Sequence, residues 1–500
     1  MKQQNGSLAE QHIPVIVGVG EITQHLDGKT KLKEPIELMA QAIQLASQDC
    51  ASKHAFLSHI DALDIVNSMT CDYVDICSSL CNLLSIHPTR QYYGQIGGES
   101  PVRFVHEAAS RIAKGESVVS VVCGAEALYS LNFLKKHSAD QAWPTAKVTW
   151  IDDLKQLLHP LAVSLDVAQP TNVYPLYENA LTQAYAVSPA QAQQQSAELW
   201  AQLSQVATQN PHAWTTTPKH SQEIYQVSEQ NRLVAWPYTK YMIANPQVNQ
   251  GAALILTNLA KAREMGVPEE KIIHIWLGAS ALEARDYTQR DNFTESQAMS
   301  AVLNYCQSKV NRFDAVELYS CFPCVPKMAK RILNLPDNLE ISVTGGLSFF
   351  GAPLNNYMTH SIAAMVRFLR QKPQQIGLIY GQGEFVTKHH AIVLANYQDH
   401  TFRLNADHQI NLQQNRKQVV SDYEGRASLE TFTILYDRKG RPTHGVAVLK
   451  VDETTRTLAK VAADDLHTIS LLQNQQQSPI GKIGVVKMDL NQLPVWSISA

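Results

Sequence analysis

The chain has 500 residues, with 42 Lys plus Arg against 45 Asp plus Glu, a length that suggests roughly two to four separately cored units and a charge balance that excludes a general pull toward nucleic acid or anionic lipid. No apolar run reaches the roughly twenty residues of a membrane span, and Met1 to Gln11 is polar with no basic stretch feeding an apolar one, so a cytoplasmic location is the expectation. The cysteines at 50, 71, 77, 81, 123, 306, 321 and 324 read as reduced thiols rather than as a disulfide framework.

In chain order, Pro14 to Val19 (PVIVGV) predicts a strand buried on both faces. Pro35 to Ser47 sets Ile36, Met39, Ala40 and Ile43 at helical spacing, and Ile60 to Val66 reads as another strand. The alternation argues for an α/β class with crossover connections. In Gly97 to Glu126, two glycines lead into a helix with Ser100 as the expected N-cap and Pro101 in the first helical position. Val102, Val105, Ala109 and Ile112 share one face of that helix, and Val118 to Cys123 follows as a buried strand.

Leu131 to Val248 is a long, mostly helical insertion of the kind that covers a site, with Trp200, Leu203, Val206 and Ala207 on one side of Ala190 to Thr208. Gly251 to Thr257 then predicts a strand, and Leu259 to Met265 a helix stopped by Gly266. Cys321 and Cys324 form the chain's CxxC pair, but no second CxxC and no HxxxH supplies the rest of a zinc site, so no metal is expected. Thr344 to Phe385 repeats the grammar of paired glycines, helix and strand, with Ile362, Met365, Val366 and Leu369 at i, i+3, i+4 and i+7. Beyond Tyr397, alternation in Ser428 to Tyr436, Gly445 to Val451 and Gly481 to Val486, with an Asp437 to Pro442 turn, predicts a separate β-rich domain over Gln398 to Ala500. A barrel of oligonucleotide-binding type suits it, although the chain's neutral balance argues against nucleic acid as the ligand.

Five segments in this order carry a resemblance: PVIVGVG near the start, the glycine-led helix and strand of Gly97 to Glu126, QGAAL at Gln250 to Leu254, ELYSCF at Glu317 to Phe322, and TGGLSFFGAP at Thr344 to Pro353. Over Ile13 to Tyr397 the chain resembles the thiolase superfamily, especially its sterol-carrier-type branch. The resemblance implies a duplicated five-layered αβαβα body. Its first half is 1–130 with 249–270, its insertion 131–248 and its second half 271–397, with the β-rich domain at 398–500. It also implies acyl thioesters of coenzyme A as substrate or ligand with no separate cofactor, acetyl-CoA acetyltransferase-like chemistry in lipid metabolism, and a homodimer through the sheet edge of the first half, which the extra domain could block.

The resemblance assigns positions to the chemistry. Acyl transfer needs a thiolate, a base and donors for the oxyanion. The nucleophile's position matches Gly98, the histidine of the family's GHP matches Ala352, and the second cysteine should fall near Leu378 to Tyr380, where there is none. Tyr319 stands for the third motif's Asn or His and Ser320 for its acidic neighbour. Cys321 is the surviving thiol there, paired with Tyr319 as a candidate catalytic group, with His360 as the candidate imidazole. Each also reads as a packing residue. Ser100, Cys123, His389, His390 and Glu384 are further candidates for chemical roles, with capping or packing as the plainer account, and Glu99 either complements the helix dipole or repels a thioester anion. Gly97, Gly98, Gly346 and Gly351 are candidates for close approach to a ligand or to the opposite half. Lys240, with Lys219 and Arg232, is a candidate for a nucleotide phosphate. The function expected is binding of coenzyme A thioesters by a thiolase-like protein with degenerate catalytic motifs; the rivals are a non-catalytic scaffold or partner subunit, and thiol chemistry at Cys321 and Cys324. An open cleft between Gly98, Tyr319 and Ala352 would favour the first.

Overall fold

The computed structural model describes residues 9–26, 31–137, 143–144, 155–399, 401, 404 and 408–499. The strands of the body are β1 (Pro14–Thr23), β2 (Ala62–Ile65), β3 (Arg90–Tyr93), β4 (Val119–Glu126), the short hairpin β5 (Leu233–Ala235) and β6 (Tyr238–Thr239), β7 (Gln250–Asn258), β8 (Ile273–Leu282), β9 (Ala315–Leu318), β10 (Ile376–Gly383) and β11 (Lys388–Ala395). The helices that frame the site are α1 (Pro35–Asp49), α2 (Ser100–Lys114), α3 (Pro170–Ala184), α4 (Pro189–Gln209), α5 (Gln297–Lys309), α6 (Cys324–Ile332) and α7 (Tyr357–Gln371).

The first half-sheet runs β3-β2-β4-β7-β1 and the second β8-β11-β10-β9. They are joined into one sheet by a short antiparallel pairing of β1 with β8 at Val15↔His274 and Ile16↔Ile273. Period-two alternation decides what each strand touches. Val15 and Val17 of β1 pack with Leu38, Met39 and Ile43 of α1 on the outer face, whereas Ile16 and, after the irregularity between Ile16 and Gly18 shifts the alternation, Val19 turn inward to the cluster holding Val102, Val105, Ile362 and Met365. Helices α2 and α7 touch each other and both half-sheets, and α5 covers the outer face of β8 and β11. The layers are therefore helix, sheet, helix, sheet, helix.

Helix α2 starts one residue earlier than the sequence predicts. Ser100 is its first residue, and Glu99 takes the N-cap place without making a side-chain capping bond. The Ser100 hydroxyl instead donates to Gln95 O at 3.3 Å.

After the body, β12 (Gln409–Ile410) lies beside β8, and β13 (Gln418–Val419) beside the later β16. The remaining elements are β14 (Gly425–Tyr436), β15 (Pro442–Lys450), β16 (Thr455–Ala462), α8 (Leu466–Leu472), β17 (Ile483–Met488) and β18 (Pro494–Ser497). Pairings run β14-β15-β16-β18-β17 and back to β14, so the sheet closes into a barrel, with β16 and β18 parallel and the other pairs antiparallel. That strand order with a helix after the third strand is the Greek-key barrel of oligonucleotide-binding folds. Leu429, Phe432, Ile434, Leu449, Val461 and Trp496 fill its interior.

The barrel's outer face is not free. Val446 and Val448 of β15 and Leu458 of β16 belong to the body's core cluster, and β5 extends β14 at Leu435↔Ala235. Asn179 of α3 donates to Phe432 O at 2.8 Å, and the Thr431 hydroxyl donates to Leu176 O. Strands β15 and β16 are the barrel's second and third, the face with which oligonucleotide-binding folds meet their ligands; here the body packs against Val446, Val448 and Leu458 of that face. Among the described residues no helix is long and apolar enough to cross a membrane.

Candidate functional site

Where the two halves meet, the loop entering α2 faces the end of β9. A Cβ built on Gly98 would fall on Tyr319 Oη, 2.8 Å from Tyr319 Cζ and 2.6 Å from Gln382 O. Tyr319 is fixed by its own backbone N–H, which donates to Tyr380 O at 3.1 Å. Ala352 is buried too, its N–H donating to Asn245 O of the insertion at 2.9 Å. Gly98, Tyr319 and Ala352 are all buried, so they line no open cleft.

Cys321 sits beside Tyr319 in a hydrogen-bonded knot. Gln382 Nε2 donates to Cys321 Sγ at 3.3 Å and to Tyr174 Oη at 2.7 Å, and Tyr174 Oη donates to Glu384 O at 2.6 Å. Burial pushes the Cys321 thiol up to about 12, so it is the neutral thiol at neutral pH, the weaker nucleophile. Cys324 opens α6, and burial raises its thiol as well. Its N–H donates to Tyr238 Oη at 3.4 Å, which in turn donates to Glu178 at 2.9 Å. Phe322 stacks on Tyr174 at 4.4 Å between centroids, and so α3 of the insertion is tied to the CxxC turn. Among the described residues no group of three or more His, Cys, Asp or Glu is arranged to hold a metal.

The second-half histidines belong to separate networks. His360 Nδ1 lies 2.6 Å from Glu21 Oε1 of β1, and Arg367 pairs with the other oxygen. Burial alone would raise the Glu21 carboxyl, but Arg367 and His360 outweigh it and hold it down to about 2. Ring contacts run from His360 through Phe350 and Tyr357 to Tyr319, at 5.2, 6.0 and 6.1 Å. His389 Nδ1 meets Tyr380 Oη at 2.7 Å, and burial lowers this imidazole to about 4. His390 Nε2 meets His106 Nδ1 of α2 at 2.9 Å, bridging the halves. Strand alternation predicts that one of His389 and His390 is exposed; both are buried, because β11 runs inside the sheet with helices over both faces. Glu384 pairs with Lys388 at 2.9 Å and with Arg285.

The glycine candidates face protein. A Cβ at Gly346 would lie 2.7 Å from Leu203 Cδ1 of α4, and one at Gly351 would lie 2.6 Å from Gln250 Oε1. The Gly97 position is met by the Glu99 carboxylate at 2.5 Å. On the insertion, Lys240 is exposed, Lys219 pairs with Glu223 at 3.0 Å, and Arg232 lines a groove of about 340 Å³ with Asn172 and His444. Sequence reasoning missed Tyr174 and Gln382, which the fold brings to Cys321. The GQGEF segment was the available signal for Gln382; Tyr174 left none.

Residues 408–491 match the family described as the thiolase-like protein type 1 additional C-terminal domain. No curated protein matches the chain in sequence. A monomeric SCP2-thiolase-like protein type 1 from Mycobacterium smegmatis is similar over 98% of this chain and 100% of its own, at 26% identity and a TM-score of 0.81. The Ltp2-ChsH2(DUF35) aldolase is similar over 79% of this chain and 100% of that chain, at 17% identity and a TM-score of 0.59. The dimeric peroxisomal thiolase of Saccharomyces cerevisiae is similar over 77% of this chain and 98% of its own, at 12% identity and a TM-score of 0.57. At those lower identities the last two speak to the fold alone. The chain therefore carries a thiolase-like fold followed by a region, 408–491, that matches the additional C-terminal domain of the thiolase-like type 1 kind.

Proposed function

We propose that the chain binds coenzyme A thioesters through its thiolase-like body and does not run the ordinary acyl-transfer cycle. The observation that carries this reading is the Tyr319 phenol lying where any side chain at Gly98 would have to stand. A nucleophile that acts as a unit with its base is worth several powers of ten in rate. Here the matching positions hold a glycine and Ala352, and the nearest thiol, Cys321, is pushed up to about 12. In this reading Tyr319 meets the acyl group and Cys321 stands beside it as a neutral thiol. His360, through Glu21, orders the seam between the halves, and Lys240 is offered to the nucleotide phosphates. We favour a single chain in the cytoplasm as the working form over the expected homodimer, because a relative of matching length is described as monomeric.

A second reading, a non-catalytic scaffold or partner subunit, is favoured by the closure of the centre. Calorimetric titration with coenzyme A, acetyl-CoA and longer acyl-CoA separates the two. Binding without cleavage of acetoacetyl-CoA is the expected result. No binding at millimolar ligand would leave the scaffold, and cleavage at an ordinary thiolase rate would overturn both.

A further inference from the structure

Glu99 directly follows the vacant nucleophile position, and its side chain is unlike the other buried charges of the body. It makes no capping bond to α2. Its carboxylate folds back instead, over Gly97 of the first half and Gly383 of the second. A Cβ at Gly97 would lie 2.5 and 2.7 Å from the two carboxylate oxygens, and one at Gly383 would fall on Oε2, 3.0 Å from the carboxyl carbon. Neither glycine has a left-handed φ. What the two missing side chains provide is therefore room, from opposite halves of the molecule, for one carboxylate.

That carboxylate is not consumed by structure. Its Oε2 is buried without a hydrogen-bond partner. Lys388, the cation whose charge it feels most, is committed to Glu384 at 2.9 Å and to Ile96 O at 3.3 Å. A buried carboxylate oxygen left without a partner costs free energy that packing alone does not explain. The centre is closed, but its burial is uneven: Glu99 and Tyr319 each keep 6% of their surface and Cys321 keeps 7%, whereas Ser320 and Gln382 keep 0% and 1%. Burial raises the Glu99 carboxyl against the pull of Lys388 and Arg103, which makes it a stronger base than an exposed carboxylate. Burial also raises the Tyr319 phenol, which therefore remains a hydrogen-bond donor.

We propose that Glu99 is the acid–base group of this centre, exchanging the α-proton of an acyl thioester whose carbonyl oxygen is held by the Tyr319 hydroxyl; the inference rests on the reading of the body as a binder of coenzyme A thioesters. In the step, a Glu99 carboxylate oxygen takes a proton from the α-carbon. The C–H bond breaks and an O–H bond forms. The electron pair moves into the bond between the α-carbon and the carbonyl carbon, and the carbonyl pair moves onto oxygen, where Tyr319 donates its hydrogen bond. The Glu99 O–H then exchanges its proton with water, and return of that hydrogen from Glu99 to the α-carbon re-forms the C–H bond and the carbonyl, so water is the only other reactant.

The test is deuterium uptake into the acetyl group of acetyl-CoA in heavy water, followed by mass spectrometry, with calorimetric binding measured on the same protein. Uptake is expected above the protein-free rate, rising with pH through a single ionisation above the ordinary carboxyl range. In Glu99→Gln it should fall by roughly a hundredfold or more while binding persists. Gly383→Ala, which keeps the carboxyl but presses on it, should also slow uptake, and thermal melting establishes that both variants are folded. Binding without uptake, or uptake undiminished in folded Glu99→Gln, overturns this inference and leaves the binding reading standing. No binding of acetyl-CoA overturns both.

Discussion

Arg456 in the barrel and Glu99 at the body's centre are both charged side chains taken out of water, and the fold treats them in opposite ways. The Arg456 guanidinium donates to Thr288 O at 2.8 Å and to Asp291 O at 3.1 Å, adds Arg290 O, and pairs with Glu430, with Nε–Oε2 at 3.1 Å. It plugs the barrel into the 286–291 turn of the body and leaves the turn's carbonyls satisfied. Glu99 has space cleared for it by two glycines and is left with an oxygen unsatisfied. A charge fully paired to backbone serves the assembly of the fold, while one that is housed and not paired is held for something else.

The sharpest way to break this contrast is to remove the paired charge. Arg456→Met should cost about 3–5 kcal/mol in denaturant unfolding, since it strands Glu430 and three carbonyls in a buried seam. Amide exchange in 286–291 and in α3 should rise with it. A loss under about 1 kcal/mol would mean that the apolar contacts of Val446, Val448 and Leu458 hold the barrel without the plug.

Glu21 belongs to the paired class and yields the next effect, read by pH. Its carboxyl is held down to about 2 from an ordinary 4.5, so its contribution is complete above the ordinary value and is lost as pH falls through the folded one. Stability should drop by about 3 kcal/mol across that acid window. Glu21→Gln should flatten that limb of the stability profile; an unchanged limb would show that the Glu21, His360 and Arg367 cluster contributes nothing to the joining of the halves.

How much of this could be read from the sequence follows from the range over which each feature is specified. Helices α2 and α7 announce themselves because one period decides their buried face, β1 because its unbroken apolar run marks a strand covered on both faces, and TGGLSFFGAP marks a segment whose glycines do meet other backbone and side chains. The positions of Gly98 and Ala352 were legible as gaps. That Tyr319 fills the first gap was not, because the contact joins residues from different halves. Nor was the folding back of Glu99, which depends on Gly383 from the far side of the molecule. Strands β16 and β18 escaped because Arg456 interrupts the apolar pattern of one and the other spans only Pro494–Ser497. The same blindness to tertiary cover misassigned His389 and His390.

The vacancy itself supplies the smaller effects. Gly98→Ala places a methyl group against Tyr319 Oη and Gln382 O, and should destabilise by about 1–3 kcal/mol. Tyr319→Phe removes the atom it strikes, so the double variant should recover part of the loss in a thermodynamic cycle. Additive losses would mean that the backbone carbonyl, not the phenol, closes the position. Glu99→Gln should change stability least, between no effect and a gain of about 1 kcal/mol, because an amide of the same shape avoids burying a charge. The sign of that change carries the argument. A residue kept for packing loses stability when altered, as Arg456 must. One kept in spite of its cost leaves the fold no worse, and its loss shows only in what the centre can do. If Glu99→Gln destabilises the chain as strongly as Arg456→Met, the two buried charges are alike and Glu99 is part of the scaffold.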